Sequence, residues 1–433
     1  VATAEAELAA VRAALAEAVA ELGDHFPGER WHADREHRER VAPWTDPDWN
    51  EARTELFLAA LALHREFLRC APDPVRQGLR AAMDVVSGVV PRDLPADAAL
   101  AAWQVYFLVA PVAVTTFAGA GTLFGHLGAE ALGRLVVEDA GQVTPQSVVG
   151  ALWRCRRAVV VGDPLQLEPV VALPPRAERA VRRDHGVDGR WSPGRTSAQR
   201  LADGLTVLGT RLPGEDGPLW VGCPLTVHRR CDHPMFDVVN AIAYDGLLIN
   251  ATAPGAAAAF DERHPRLPGS TWFDVPSADA QGHWIPEEGR RLNHLLGLLS
   301  ETGVGPADIL VLAPFRDVAW RLRQRLPDAR RAGLVAGTPH TARRRQADVV
   351  ILVLGGDPSR PAARNWVAAR PNLLTSAVSR ARHRLYVIGD RRSWSRRRYF
   401  AELSEHLARR PVDSATNRSG DGAAASGRPA GTA

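Results

Sequence analysis

Two short apolar runs, each cut off by an acidic turn, set the strongest limit on how this chain can fold. Residues 134–143 read RLVVEDAGQV and residues 157–171 read RAVVVGDPLQLEPVV. Continuous Val/Leu runs of this length, bounded by Gly and Asp, predict strands buried on both faces of a parallel sheet. The turns that follow would bring Glu138, Asp139, Asp163 and Gln166 to one edge of that sheet. Ligands of open α/β sheets bind outside the carboxyl ends of the strands. Carboxylates there suit a hydrated Mg²⁺ and an attacking water. The plain alternative is a pair of turn acids with no ligand at all.

The same pattern recurs. VYFLVAPV, at residues 105–112, is expected to be another strand of this first sheet. LWVGCPL, DILVLAP, ADVVILVLG and HRLYVIGD form a second strand series further along, so the fold class expected is α/β with two parallel-sheet domains. Before them, Leu8, Val11, Leu15, Val19 and Leu22 recur at steps of three and four, which predicts an amphipathic helix. Asp46-Pro47 reads as an N-cap followed by Pro at the first helical position. The expected organisation is a helical arm or insertion over 1–80 and a partial first domain over 81–175. A connector over 176–218, a second domain over 219–410 and a disordered tail over 411–433 complete it.

Composition excludes several classes. No apolar run reaches the roughly 18 residues of a membrane span. The first residues carry glutamates and no basic region, unlike a secretory signal. Cys70, Cys155, Cys223 and Cys231 contain no C-x-x-C pair, so a zinc site is not expected and a reducing cytoplasmic compartment is. All 53 basic residues are arginine. With the abundance of Ala, Gly and Pro, this fits a GC-rich bacterial coding sequence. Any role that needs a lysine ammonium is therefore vacant, whereas arginine still binds phosphate through its planar fork.

Taken together, the blocks resemble the motifs of superfamily 1 helicases, ATPases with two RecA-like domains. EDAG and GDPLQ resemble motifs II and III, and APVAVTTFA (110–118) resembles motif Ia. PLTVHRRCDHPMFDVVNAIAYDGLL (224–248) is similar to the segment whose arginine reaches the γ-phosphate. VLAPFRDVAWRLRQRL resembles motif IV, AGTPHTARRRQADVVILVLG (336–355) motif V and NLLTSAVSRARHRLYVIGD (372–390) motif VI. The resemblance spans roughly residues 100–395, and the arm over 1–80 would match a helical insertion in the first domain. It implies that the first RecA-like domain is incomplete here. It also implies Mg²⁺ and ATP as cofactors and single-stranded DNA or RNA as partner. Glu138 would coordinate Mg²⁺, Asp139 would orient the attacking water, and Gln166 would sense the γ-phosphate. Asp163 and Gln346 would lie at the nucleotide. Arg230 and Arg380 would neutralise the transferred phosphoryl group. Thr115, Thr116, Thr338, His340, Arg343 and Arg344 would follow the nucleic-acid backbone.

Three departures qualify the expectation. The phosphate loop G-x-x-x-x-G-K-[ST] is absent, and a chain without lysine can hide no variant of it. The acid pair is inverted to Glu138-Asp139, and angstrom-scale misplacement of a catalytic group costs on the order of 100-fold. Motif V has Arg343-Arg344-Arg345-Gln346 where the family has Gln-Gly and, two positions on, Glu. The expected protein is thus the C-terminal portion of a helicase, or a degenerate one, inactive as an isolated chain. A separate chain carrying the phosphate loop is one possible partner. The alternative is a non-catalytic nucleic-acid-binding or protein-interaction module.

Overall fold

The structure is a computed structural model that describes residues 2–91, 93–214, 217–276, 279–342 and 345–411. The tail from 412 onward, expected to be disordered, and Arg343 and Arg344 lie outside the described residues. The chain divides into two compact units. One comprises Val1–Arg229 with Tyr244–Ala251, the other Arg230–Ala243 with Thr252–Ala433. No described helix is long and apolar enough to cross a membrane.

The first unit opens with helices, among them Ala2–Leu22, Pro47–Cys70 and Pro72–Ser87. The helix at Pro47 begins where the sequence places it, because the Asp46 side chain accepts the Trp49 N–H at 2.8 Å. The apolar stripe of the first helix, however, faces solvent: Leu8, Val11, Leu15 and Val19 are all exposed. The packed part of this region lies further on. Helices Pro72–Ser87 and Ala96–Val109 bury Ala82, Val85, Ala102 and Trp103 against Phe124 and Leu127. The Trp103 and Phe124 rings are 4.7 Å apart.

VYFLVAPV is therefore not a strand. It closes the helix Ala96–Val109, whose inward residues Ala99, Ala102, Trp103 and Tyr106 recur at the helical step of three to four. An apolar run this short cannot separate the two periods until its upstream alanines are included.

β1 (Leu132–Val137) and β2 (Cys155–Val160) do form, and they pair in parallel with Val136 opposite Val159. They make a two-stranded sheet, and burial on both faces does not follow, since Val136 is 68% and Val159 54% exposed. β3 (Gly209–Leu212) and β4 (Leu219–Gly222) make an antiparallel ribbon. LWVGCPL thus belongs to the first unit and not to the second strand series. β5 (Val227–His228) and β6 (Ile249–Asn250) complete that unit as a short parallel pair.

The second unit is built on one six-stranded sheet. Its strands are β7 (Thr271–Asp274), β8 (Ile309–Leu312), β9 (Val335–Gly337), β10 (Ala347–Val353), β11 (Ala381–Gly389) and β12 (Ala408–Pro411). All neighbours run parallel, in the order β12-β7-β11-β10-β8-β9. The α/β class read from the Val/Ile runs is what the structure shows. Here the runs are covered on both faces: Val349, Val350, Ile351 and Val353 are fully buried. Tyr386 Oη donates to the Pro268 carbonyl at 2.6 Å and Trp272 Nε1 to that of Gly389 at 2.9 Å.

Candidate functional site

The acidic turns meet because parallel pairing of β1 with β2 ends both strands at the same level. Val137 is buried, Glu138 points to solvent, and Asp139 takes the left-handed region at φ 55° to start the single 3-10 turn Ala140–Gln142. The two turns touch backbone to backbone. A Cβ on Gly141 would lie 2.4 Å from the Asp163 carbonyl oxygen, and one on Gly162 would lie 2.6 Å from the Gly141 nitrogen. Only glycine admits this approach. Glu138, Asp139, Asp163 and Gln166 are thereby gathered at the carboxyl ends of adjacent strands.

Asp163 is held by three hydrogen bonds. Its carboxylate accepts the Leu165 N–H at 2.8 Å, Gln166 Nε2 at 3.0 Å and the Tyr244 hydroxyl. Burial raises its pKa, opposed by those hydrogen bonds. Gln199 Nε2 donates to Asp203 Oδ1 at 2.8 Å, and burial raises the Asp203 pKa, with a smaller contribution from the Asp163 charge. Gln199 Oε1 and Asp203 Oδ2 are buried without a hydrogen-bond partner among the described residues. Tyr244, Gln199 and Asp203 are absent from the sequence reading. Tyr244 stands 81 positions from Asp163, and no local pattern signals the pairing.

The donor set decides what the turns can bind. Glu138 is exposed and makes no ion pair among the described residues, so its carboxylate suits a hydrated Mg²⁺, which takes one or two carboxylates and keeps several waters. No group of three or more His, Cys, Asp or Glu side chains converges as a metal cage among the described residues. Phosphate is served poorly. The N–H groups of Ala140, Gln142 and Val143 already go to the carbonyls of Val161, Asp139 and Ala140. That of Leu165 goes to Asp163. The N–H groups of Ala140, Gln142, Val143 and Leu165 are therefore not available to a phosphate.

Thr115 and Thr116 are exposed, and no strand precedes them. The Thr116 hydroxyl accepts the Gly119 N–H at 3.1 Å and caps the helix Phe117–Leu123. They therefore do not sit at a strand end.

In the second unit Arg230 reaches the residue next to Arg380. Arg230 is exposed, and its Nη1 donates to the Ser379 carbonyl at 3.3 Å. Arg380 is buried, and its Nη1 donates to the Arg345 carbonyl at 2.9 Å. Beside them Asp232 Oδ2 lies 2.6 Å from His383 Nδ1, and Cys231 Sγ donates to the Ser379 carbonyl. Cys231 is a packed side chain, and burial pushes its thiol up to about 12. Thr338 is buried and locked to Thr341, whose Oγ1 accepts the Thr338 N–H at 2.8 Å. His340 and Gln346 are exposed on either side of the segment that contains Arg343 and Arg344.

Among solved structures the chain is similar to an arterivirus nonstructural protein 10 (helicase) in complex with DNA. The match has 14% identity and a TM-score of 0.28, over 59% of this chain and 39% of that one. A crystal structure of arterivirus nonstructural protein 10 (helicase) matches at 16% identity and a TM-score of 0.28, over the same shares. The helicase of PRRSV matches at 15% identity and a TM-score of 0.27, over 59% of this chain and 35% of that one. The matched part thus spans less than two fifths of each of these helicase chains. No protein-family model matches the sequence, and no curated protein matches it.

Proposed function

We propose that these 433 residues form a superfamily 1 helicase-like protein that binds single-stranded nucleic acid and does not hydrolyse ATP. The observation that carries this reading is the packing of the EDAG and GDPLQ turns at the ends of two parallel neighbours, with glycine at the two points where their backbones touch. Motifs II and III are juxtaposed in this manner by the fold the sequence resembles. The order of the remaining blocks supports the same reading, as does the hydrogen bond from Arg230 to the Ser379 carbonyl beside Arg380.

In this reading Glu138 would hold a hydrated Mg²⁺, Asp139 would orient the attacking water and Gln166 would sense the γ-phosphate. Arg230 and Arg380 carry the positive charge that the resemblance assigns to neutralising a transferred phosphoryl group. The nucleotide itself is not bound productively, because the sequence carries no G-x-x-x-x-G-K-[ST] loop and four N–H groups of the turns already have acceptors. The resemblance assigns Thr115, Thr116, Thr338, His340, Arg343 and Arg344 to the nucleic-acid backbone; of these Thr115, Thr116 and His340 are exposed and Thr338 is buried. Backbone phosphates attract arginine without regard to sequence. The bare valines of β1 and β2 favour one addition: a separate chain that carries the missing strand and phosphate loop could cover them.

The test is fluorescence anisotropy with a labelled single-stranded oligonucleotide. Binding driven by phosphate contacts should weaken steeply, by tenfold or more, between about 50 and about 300 mM salt. Scrambling the oligonucleotide sequence should change little. Absence of binding at low salt, or affinity indifferent to salt, would sink the proposal.

A further inference from the structure

At the carboxyl end of β11 the second unit carries a cavity of about 440 Å³, lined by Asn365, Asp390, Arg392, Ser393, Arg396 and Arg397. Nothing in the helicase reading uses it. Its charge is lopsided: three arginines face one carboxylate, an excess of two positive charges. None of the three arginines makes an ion pair among the described residues, and Arg392 and Arg396 are exposed. Arg397 donates through Nη1 to the Ser393 carbonyl, while its Nε is buried without a hydrogen-bond partner among the described residues. A buried donor left unmatched costs stability unless a ligand or water completes it.

The wall behind the cavity holds the arrangement in place. Arg364 is fully buried, donates to the Gly356 carbonyl and to Ser393 Oγ, and lies over the Trp394 ring at 5.6 Å. Because Ser393 Oγ accepts from Arg364, its own proton remains to be donated. Asp390 Oδ1 accepts the Ser393 N–H at 2.9 Å and so shapes the turn. Burial and the nearby Arg364 charge both lower the Arg397 pKa, opposed by Asp390.

We propose that this cavity binds a phosphomonoester dianion, held by Arg392, Arg396 and Arg397 with the Ser393 hydroxyl as a neutral donor. A phosphomonoester carries about −1.5 to −2 charges at neutral pH, which matches the excess of two. Planar guanidinium forks engage its oxygens in pairs. The volume exceeds what a bare phosphate fills and lies in the range of small-ligand sites. Asn365 offers the body of the ligand both a donor and an acceptor. The Asp390 carboxylate opposes the anion and limits its affinity. Two sources carry this group: a small phosphorylated metabolite, or the 5′-phosphate end of a nucleic-acid strand.

The experiment is calorimetric titration of the full chain with inorganic phosphate at low salt, with the variants R392E and R396E combined. Both side chains are exposed, so the thermal midpoint should hold. Saturable binding with one site, weakened at least tenfold by the double charge reversal, is expected. Asp390→Asn should tighten binding. No saturable heat, or equal affinity in the double variant, overturns the proposal. A 5′-phosphorylated and a 5′-hydroxyl oligonucleotide then separate the sources. Preference for the phosphorylated end, lost in R392E/R396E, assigns the strand terminus. No preference, with inorganic phosphate still bound, assigns a small metabolite.

Discussion

Gly141 and Gly162 carry the geometry of the acidic turns, and their cost is testable one atom at a time. Gly141→Ala places a methyl group 2.4 Å from a backbone carbonyl that cannot swing aside. Overpacking of this kind costs about 1–3 kcal/mol, so urea unfolding should show a loss in that range. Gly133→Ala, in β1 with nothing within 4 Å of the added carbon, should show almost none. Glu288 offers a second test in the other unit. It is fully buried, its Oε2 accepts the Gly355 N–H at 2.7 Å, and burial pushes its pKa up to about 8 from 4.5. The folded protein therefore holds this proton more tightly than the unfolded chain. Its contribution to stability is fully present below about 4.5, falls as pH rises, and is gone above about 8. The swing should amount to a few kcal/mol, at roughly 1.4 kcal/mol per pH unit. Glu288→Gln keeps an acceptor for Gly355 and should flatten the profile, raising stability at pH 8 above that of the wild type. Denaturant midpoints measured at pH 5, 6.5 and 8 decide it.

At the scale of elements, one kind of apolar run ends in two kinds of environment. VVILV of β10 is sealed on both faces, whereas LVV of β1 and AVV of β2 show solvent one bare valine each. Ile351→Ala should then cost about 2–5 kcal/mol, while Val136→Thr should stay within about 0.5 kcal/mol. Equal costs by thermal or chemical unfolding would mean that the β1–β2 face is covered in solution. Strand existence was legible at all these runs, because β-branched residues between Gly and Asp leave few alternatives. Coverage was not, since it depends on which elements come to lie above. The helix at Pro47 was legible for a local reason, the Asp46 cap. VYFLVAPV was misread because eight apolar residues carry no decisive period, and the alanines that set it lie upstream of the run.

At the scale of the whole molecule, the parts of the site that follow from strand ends could be read in the sequence, and those that follow from long-range contact could not. Glu138, Asp139, Asp163 and Gln166 come together because parallel strands end level. Tyr244 reaches Asp163 from a distant segment, and Thr116 proves to be a helix cap, neither of which a local pattern reveals. The same division bears on ATP. In the proposed reading hydrolysis needs the triphosphate held against Glu138 and Asp139, yet the N–H groups of Ala140, Gln142, Val143 and Leu165 already have acceptors and no lysine exists to bridge the phosphates. Charge-assisted hydrogen bonds contribute roughly 1.5–3 kcal/mol each, and each 1.4 kcal/mol is tenfold in affinity. Losing about three moves a micromolar site to the millimolar range or beyond. Turnover of Mg-ATP should therefore stay at background with or without single-stranded nucleic acid, and Asp139→Ala should leave it there. The arginine cavity adds a condition, because it can take a phosphate group without supporting chemistry. Any rise in melting temperature with millimolar Mg-ATP should survive Asp139→Ala and vanish in R392E/R396E. A rise that instead vanishes with Asp139→Ala, accompanied by measurable phosphate release from the wild type, would place a working nucleotide site at the acidic turns and end the non-hydrolytic reading.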